Sequence, residues 1–361
     1  MTRYLLAGGG TAGHVNPLLA LADAITAAEP ESKVWALGTA EGLEARLVPE
    51  RGYPLLTVPR LPFPRRLNAA ALKFPGRYLA SVAKVAGYLR EHRIDVVVGF
   101  GGYASAPAYT AARRLGIPVV VHEANALPGM ANRMAAKRAA AVGVAFRNTP
   151  LPGASFVGMP LRREVEQLAA GISLADRVAA RAHFELDEST TTLLVTGGSL
   201  GAKRINDTIE ASRPALKNAG IQVLHIVGDR SDQAAEVSPD FVRLKYCDRM
   251  DLAIAAADFA VCRAGAATVS EFTAVGLPAV YVPYPVGNGE QRHNVADVVD
   301  AGGGLLCLDA DFTPEFVNST LIPLVSDSRA RTLIANAARA VGVPDGSSRL
   351  LALVQSVLAG R

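Results

Sequence analysis

Residues 1–14 read MTRYLLAGGGTAGH: the apolar run Tyr4–Ala7 passes straight into the turn Gly8-Gly9-Gly10-Thr11-Ala12-Gly13, and a helical stretch begins near His14. Short strand, tight turn and helix make the opening half of a βαβ unit. The same order returns at Thr191–Val195, followed by Thr196-Gly197-Gly198-Ser199-Leu200-Gly201. Further apolar, β-branched runs at Lys33–Leu37, Val96–Val98, Val119–His122, Ala141–Val144, Val223–Val227, Phe259–Cys262 and Ala279–Val282 alternate with longer stretches of helical period. The pattern predicts an α/β protein of two doubly wound, Rossmann-like domains joined at Pro150–Arg163, a segment rich in Pro and Gly, with an interdomain cleft for ligands. The expected domains are residues 1–160 and 161–344. A helix over Ser347–Ala359, after the breaker Pro344-Asp345-Gly346, leaves residues 345–361 to pack back on the first domain.

The length, 361 residues, suits two hydrophobic cores. Charge divides unevenly between them. Residues 1–160 hold 18 Lys and Arg against 9 Asp and Glu, whereas the rest hold 19 against 24, so the basic half faces an anionic surface and the other half a smaller ligand. Cys247, Cys262 and Cys307 are odd in number, widely spaced and set in apolar runs, which reads as buried thiols in a reducing cytoplasm and not as disulfides or a zinc site. The N-terminus lacks the apolar core of a signal peptide, and no apolar run reaches the roughly 18 residues of a membrane span. The expectation is a protein that is soluble or lies on a membrane without crossing it.

Gly8–Gly13 formally matches G-x-G-x-x-G. A dinucleotide site would also want an acid at the end of the second strand. That strand ends Leu37-Gly38-Thr39, with Glu41 already in the next turn, which disfavours a nicotinamide oxidoreductase. Two glycine turns, one per domain, aim two helix N-termini at phosphate, although tight strand-to-helix turns that any doubly wound sheet needs read equally well. A third segment, CRAGAATVSE (Cys262–Glu271), sets small residues after a strand, where a diphosphate can approach the backbone, and then a carboxylate near the end of the first helical turn that can hold two ribose hydroxyls. That is a nucleotide-sugar site in outline; a helix with an acid in its favourable first turn is the plainer reading.

Seven segments in order, GGGTAGHVNP (Gly8–Pro17), GFGGYASAPA (Gly99–Ala108), HEANALPGMAN (His122–Asn132), GMPLR (Gly158–Arg162), GGSLGAKRIN (Gly197–Asn206), CRAGAATVSE and EQRHN (Glu290–Asn294), resemble the MurG family of GT-B glycosyltransferases. The resemblance implies transfer of N-acetylglucosamine from UDP-N-acetylglucosamine to lipid-linked muramyl-pentapeptide, the step that makes lipid II from lipid I in peptidoglycan synthesis. It puts the donor mainly on the second domain. Ser199 and the amides of Ala266, Ala267 and Thr268 would contact the diphosphate, with Val269 and Ser270 following as further substrate-binding positions. Glu271 would hold the ribose, Gln291 the sugar hydroxyls, Arg162 would help to fix the donor, and the backbone at Tyr246 and Cys247 would border the uracil. Thr11, Ala12, Gly13 and Asn125 would complete the site from the first domain, where the acceptor sits.

The implied reaction is an inverting, single displacement giving a β-1,4 link. His14, with an imidazole pKa near neutrality, is the first candidate for general base and Glu123 the second; Asn132 is a candidate for orienting the acceptor. Each has a plainer role: a helix-terminal histidine bonding phosphate or backbone, an acid satisfied by local amides, a packing asparagine. Charge on the UDP leaving group suits the amides near Gly265–Thr268, so no metal or other cofactor is expected, with a divalent ion on the diphosphate left open. Asp309-Ala310-Asp311 superficially matches a metal-binding DxD but precedes Thr313-Pro314-Glu315, a helix start, and reads as capping and turn chemistry.

Residues 60–93 carry eight Arg or Lys and one acid, with Leu61, Phe63, Leu67, Leu72 and Phe74 interleaved among the cations around prolines that oppose a well-buried helix at the start. The segment reads as a tip for shallow insertion among anionic headgroups, at the cytoplasmic face of the bacterial membrane, where a lipid-linked acceptor is reached in the bilayer plane. Tyr78, Val82, Val85 and Leu89 follow helical spacing and belong to the core. An ordinary helix with a solvated basic face is the plainer reading. Nucleic acid is disfavoured because aromatic stacking residues are few. Other cell-wall synthesis proteins remain open as partners.

Overall fold

The structure, a computed structural model, describes residues 1–64, 69–198, 202–286 and 288–360. The chain divides into two compact units, Met1–Arg162 with Asp345–Arg361, and Arg163–Pro344.

In the first unit the strands are β1 (Arg3–Ala7), β2 (Lys33–Gly38), β3 (Leu55–Thr57), β4 (Val96–Gly99), β5 (Val119–Glu123), β6 (Ala141–Val144) and β7 (Ala154–Phe156), linked in part by helices α1 (Ala12–Ala28), α2 (Glu44–Glu50), α3 (Ala69–Glu91), α4 (Ser105–Arg114) and α5 (Met130–Ala136). All pair in parallel in the order β3-β2-β1-β4-β5-β6-β7. Strands covered on both faces read as continuous apolar runs, and Val96–Val98 and Val119–Val121 are accordingly buried throughout. One face carries α1 and the helix Gly346–Ala359, whose Leu350, Leu351 and Val354 join Leu18, Leu21 and Ile25 in a single core. The other carries α3, α4 and α5, with Val82, Val85 and Leu89 buried in the core, as their spacing predicts. Gly346 is needed where that last helix begins: a Cβ there would stand 2.1 Å from the Met159 carbonyl oxygen.

The second unit repeats the plan. Strands β8 (Thr191–Thr196), β9 (Ile221–Ile226), β10 (Glu236–Ser238), β11 (Phe241–Leu244), β12 (Phe259–Cys262), β13 (Ala279–Tyr281) and β14 (Gly304–Leu306) order as β10-β11-β9-β8-β12-β13-β14. Only the β10–β11 edge is antiparallel. Helices α6 (Arg163–Ala169), α7 (Leu174–His183), α8 (Lys203–Asn218), α9 (Met250–Ala256), α10 (Ala266–Val275) and α11 (Glu290–Asn294) come before β14.

The nine strands expected from sequence are all present, within one or two residues. Five more, β3, β7, β10, β11 and β14, were not foreseen. Four of them are three residues long, too short for a hydrophobic period, and β7 lies inside the Pro150–Arg163 stretch read as a connection. Pro75 does not end α3, which starts at Ala69 with its first turns exposed, Leu72 at 85%.

Candidate active site

Both sheets reverse their strand order once, and ligands of doubly wound folds bind at that reversal, beyond the carboxyl ends of the strands. In the first unit it lies between β1 and β4, where Ala7 pairs with Gly99. The turns Gly8–Gly13 and Phe100–Ala104 leave the sheet there side by side. Their backbones nearly touch: Gly102 has φ +82°, and a Cβ on it would stand 2.5 Å from the Gly9 carbonyl oxygen. Gly10 is likewise left-handed, at φ +91°. Thr11 is extended and exposed, and its carbonyl accepts from the amides of His14 and Val15. The amides of Ala12 and Gly13 thus lead a helix with no side-chain cap and no acid in its first turn, an arrangement that favours an anion.

His14 is half-buried beside this turn. Its Nδ1 lies 3.2 Å from the Gly9 carbonyl oxygen and 3.1 Å from Thr11 Oγ1. Burial lowers its pKa, against the opposing pull of the Gly9 carbonyl and the Glu44 charge, so the imidazole is neutral at pH 7. Nε2 reaches toward Gly101: a Cβ there would stand 3.3 Å from it and 3.4 Å from Asn132 Nδ2.

Glu44, three residues beyond Glu41, is the acid that the fold buries at the end of the second strand. Its carboxylate accepts from the Thr39 amide and hydroxyl at 2.8 Å each and from the Gly10 amide at 2.9 Å. Burial pushes its pKa up, but those bonds more than offset it and the net shift is downward. The acid that a dinucleotide ribose would need near the second strand is therefore committed to the protein's own backbone. The signal was there in Gly38 and Gly42, which flank it.

Glu123 ends β5 and is buried, accepting from the amides of Asn125 (2.9 Å) and Gly129 (3.0 Å) and from Asn132 Nδ2 (2.9 Å). Burial raises its pKa despite these donors. Asn132 is buried too. It donates to the His122 carbonyl at 3.1 Å as well as to Glu123, and accepts from the Tyr109 hydroxyl at 2.6 Å. Glu123 thus pins the loop that carries Asn125, and Asn132 locks α5 to β5; both lie behind the turn that bears His14. His122 Nε2 donates to the Gly158 carbonyl oxygen at 3.0 Å, and burial pushes its pKa down to about 4.

In the second unit the reversal lies between β8 and β12, where Thr196 pairs with Cys262. Gly198, at φ +83°, donates to Thr196 Oγ1 at 3.4 Å; Ser199 lies outside the described residues. Next to it Gly265 leads into α10 with no side-chain cap. The Val269 amide bonds the Gly265 carbonyl at 3.0 Å, so the amides without a helical partner are those of Ala266, Ala267 and Thr268. The amides of Val269 and Ser270 fall within the helical ladder; the Val269 side chain is buried and that of Ser270 half-buried. Glu271 sits in the second turn of α10, not the first, so the helix dipole does not account for it. It is half-buried on the same face as Ala267 and Thr268, four and three residues before it, while Ala266, Val269 and Phe272 face the core.

Neighbouring side chains hold these turns. Asn294 donates to the Ala264 carbonyl at 3.2 Å, and Gln291 Oε1 accepts from the Tyr284 amide at 2.9 Å. Arg263 donates to the Val282 and Pro283 carbonyls and pairs with Asp309 at 2.6 Å. Asp309 is therefore an ion partner and not merely a turn former, while Thr313 does cap the following helix through the Phe316 amide. No group of three metal-ligating side chains occurs among the described residues. Cys247, with exposed Tyr246, follows β11 at the same sheet edge; it is half-buried, so of the three thiols only Cys262 and Cys307 are buried. Arg162 is half-buried at the end of the first unit's main segment.

Residues 4–144 match the glycosyltransferase family 28 N-terminal domain and residues 192–350 its C-terminal domain. The UDP-N-acetylglucosamine–N-acetylmuramyl-(pentapeptide) pyrophosphoryl-undecaprenol N-acetylglucosamine transferase of Leifsonia xyli is 59% identical over 99% of both chains. The enzyme of the same name from Clavibacter sepedonicus is 56% identical over 100% of this chain and 98% of its own. The crystal structure of Acinetobacter baumannii MurG aligns over 99% of this chain and 100% of that one, with a TM-score of 0.77 and 29% identity.

Proposed function

The chain belongs to glycosyltransferase family 28, and we propose that it transfers N-acetylglucosamine from UDP-N-acetylglucosamine to the C4 hydroxyl of lipid-linked N-acetylmuramyl-pentapeptide, making lipid II from lipid I. Full-length identity of 56–59% to enzymes of that name carries the reading. The site's chemistry agrees with it. The amides of Ala266, Ala267 and Thr268 suit a diphosphate, and Glu271, on the same helix face, suits the ribose hydroxyls. Ser199, Arg162, Gln291 and the backbone at Cys247 remain assigned to the donor, and Thr11, Ala12, Gly13 and Asn125 to the first unit's share of the site.

We assign the general base to His14. What supports it is a neutral imidazole whose Nε2 has no hydrogen-bond partner among the described residues, whereas Glu123 is buried and already bonded to three donors. Nε2 takes the proton of the C4 hydroxyl as its oxygen attacks the anomeric carbon. The bond from that carbon to the diphosphate oxygen breaks with its electron pair staying on UDP, and the configuration inverts. Amide donors that meet the leaving charge need no reorganisation during the step. Transfer is accordingly expected to persist in chelator, without a resident metal. The test is UDP release with and without a soluble analogue of the lipid-linked acceptor. Release that requires the analogue and yields a disaccharide supports the assignment; release indifferent to it overturns the acceptor.

The proposal also seats the enzyme on the cytoplasmic face of the plasma membrane. No helix among the described residues is long and apolar enough to cross a membrane. Phe63, Leu72 and Leu79 are 60%, 85% and 50% exposed on a segment rich in cations, although Arg65, Arg66 and Leu67 lie outside the described residues. Co-sedimentation with anionic but not neutral vesicles is the expected result.

A further inference from the structure

Three glycines close around one carboxylate. A Cβ at Gly9, Gly38 or Gly42 would stand 2.3, 2.4 or 2.1 Å from an atom of the Glu44 side chain, so each of these positions leaves room for that side chain and nothing more. Glu44 is 1% exposed. A buried carboxylate is costly unless bonded, and Oε2 is given to the Gly10 amide at 2.9 Å.

The Gly10 N–H and the Gly9 C=O belong to one peptide group. The far end of that group, the Gly9 oxygen, meets His14 Nδ1 at 3.2 Å. A carbonyl oxygen can only accept, so Nδ1 carries the hydrogen and Nε2 keeps its lone pair. Nε2 lies beside Gly101, which has no side chain to cover it.

We propose that Glu44 is a positioning residue for His14 and acts through the Gly9–Gly10 peptide group. Its carboxylate draws on the Gly10 N–H, which polarises the peptide and makes the Gly9 oxygen a stronger acceptor for Nδ1–H. The imidazole is held in the tautomer whose Nε2 takes the acceptor's proton, and the charge that then appears on the ring is stabilised along the same line. No proton moves along it. A carboxylate bonded directly to the catalytic histidine does this in hydrolase triads; here a peptide group stands between them. The other groups around the ring are Thr11 and Asn132, both neutral, with Glu123 behind Asn132 and bonded to it, so Glu44 is the anion that acts on the ring. The inference rests on His14 as the base.

The first test is 15N NMR of the histidine-labelled wild-type protein, with His14 assigned by its loss in His14→Gln. The Nδ1–H tautomer is expected; the Nε2–H tautomer overturns the proposal. The second is Glu44→Gln, which keeps the shape and removes the charge. Its kcat should fall about 10- to 100-fold, as supporting-residue changes typically do, with KM for UDP-N-acetylglucosamine unchanged. The acid limb of its pH profile should move to lower pH, because losing a nearby negative charge makes the ring harder to protonate. In a His14→Ala background the same change should cost nothing further; an equal loss in both backgrounds overturns the relay. If Glu44→Gln does not fold, the wild-type tautomer still decides. If His14→Ala alone leaves transfer intact, it is the base assignment that fails, whatever the tautomer.

Discussion

His14 and Glu271 carry the sharpest residue-level expectations, and they separate by which kinetic constant they move. Replacing His14 with Ala removes the proposed proton acceptor, so kcat should fall by about 10²–10⁴-fold while calorimetry finds donor affinity intact. The acid limb of the wild-type profile should lie below pH 6.5, the ordinary imidazole value, since burial disfavours the protonated ring and the base works only when neutral. Glu271→Ala should instead weaken donor binding, each lost charge-assisted bond costing about 1.5–3 kcal/mol. Unchanged affinity would remove Glu271 from the site.

Turns and helices set where those side chains work. Gly102 shows how little slack the first unit's switch point has. Alanine there would combine a left-handed backbone with a Cβ 2.5 Å from the Gly9 carbonyl oxygen, so the turn bearing His14 must move. Gly102→Ala is expected to lose transfer and about 1–2 kcal/mol of stability from the backbone conformation alone, read by steady-state kinetics and a denaturant melt. For α3, Val82, Val85 and Leu89 face the core and Leu72 faces out. Leu72→Glu with Phe63→Glu should release the protein from anionic vesicles and leave its melting temperature unchanged.

Across the molecule, each unit has its own cores, yet the first borrows from the chain's last residues. Leu350, Leu351 and Val354 are buried against α1, and each such side chain contributes roughly 1.5–3 kcal/mol. Ending the chain at Pro344 should therefore lower or abolish the first unit's unfolding transition in calorimetry and spare the second's. Besides His14, each unit holds a histidine pushed far down by burial: His122, to about 4, and His225, to about 3, where Arg243 and Arg213 add to the effect. The unfolded chain protonates both near pH 6.5, so their contribution is complete above that pH. It is lost as pH falls through 6.5 toward 4 and 3, by roughly 3 kcal/mol for His122 and roughly 5 kcal/mol for His225. Melts of His122→Gln and His225→Gln should show a flatter decline over that window.

Strand, glycine turn and helix at Tyr4–His14 and again at Thr191–Gly201 determined the doubly wound class, because parallel strands buried on both faces must be apolar throughout and their turns must be tight. The helix start and carboxylate proposed for phosphate and ribose could also be picked out, since amides at a helix start and a carboxylate a turn later are local in sequence. What only the tertiary structure decided depends on distant segments meeting. Three-residue edge strands carry no period of their own and form only because a neighbouring strand offers unpaired amides. Glu44 has two small neighbours in Gly38 and Gly42, but it becomes a buried anchor only when the fold also brings Gly9 and Gly10, more than thirty residues away, against its carboxylate.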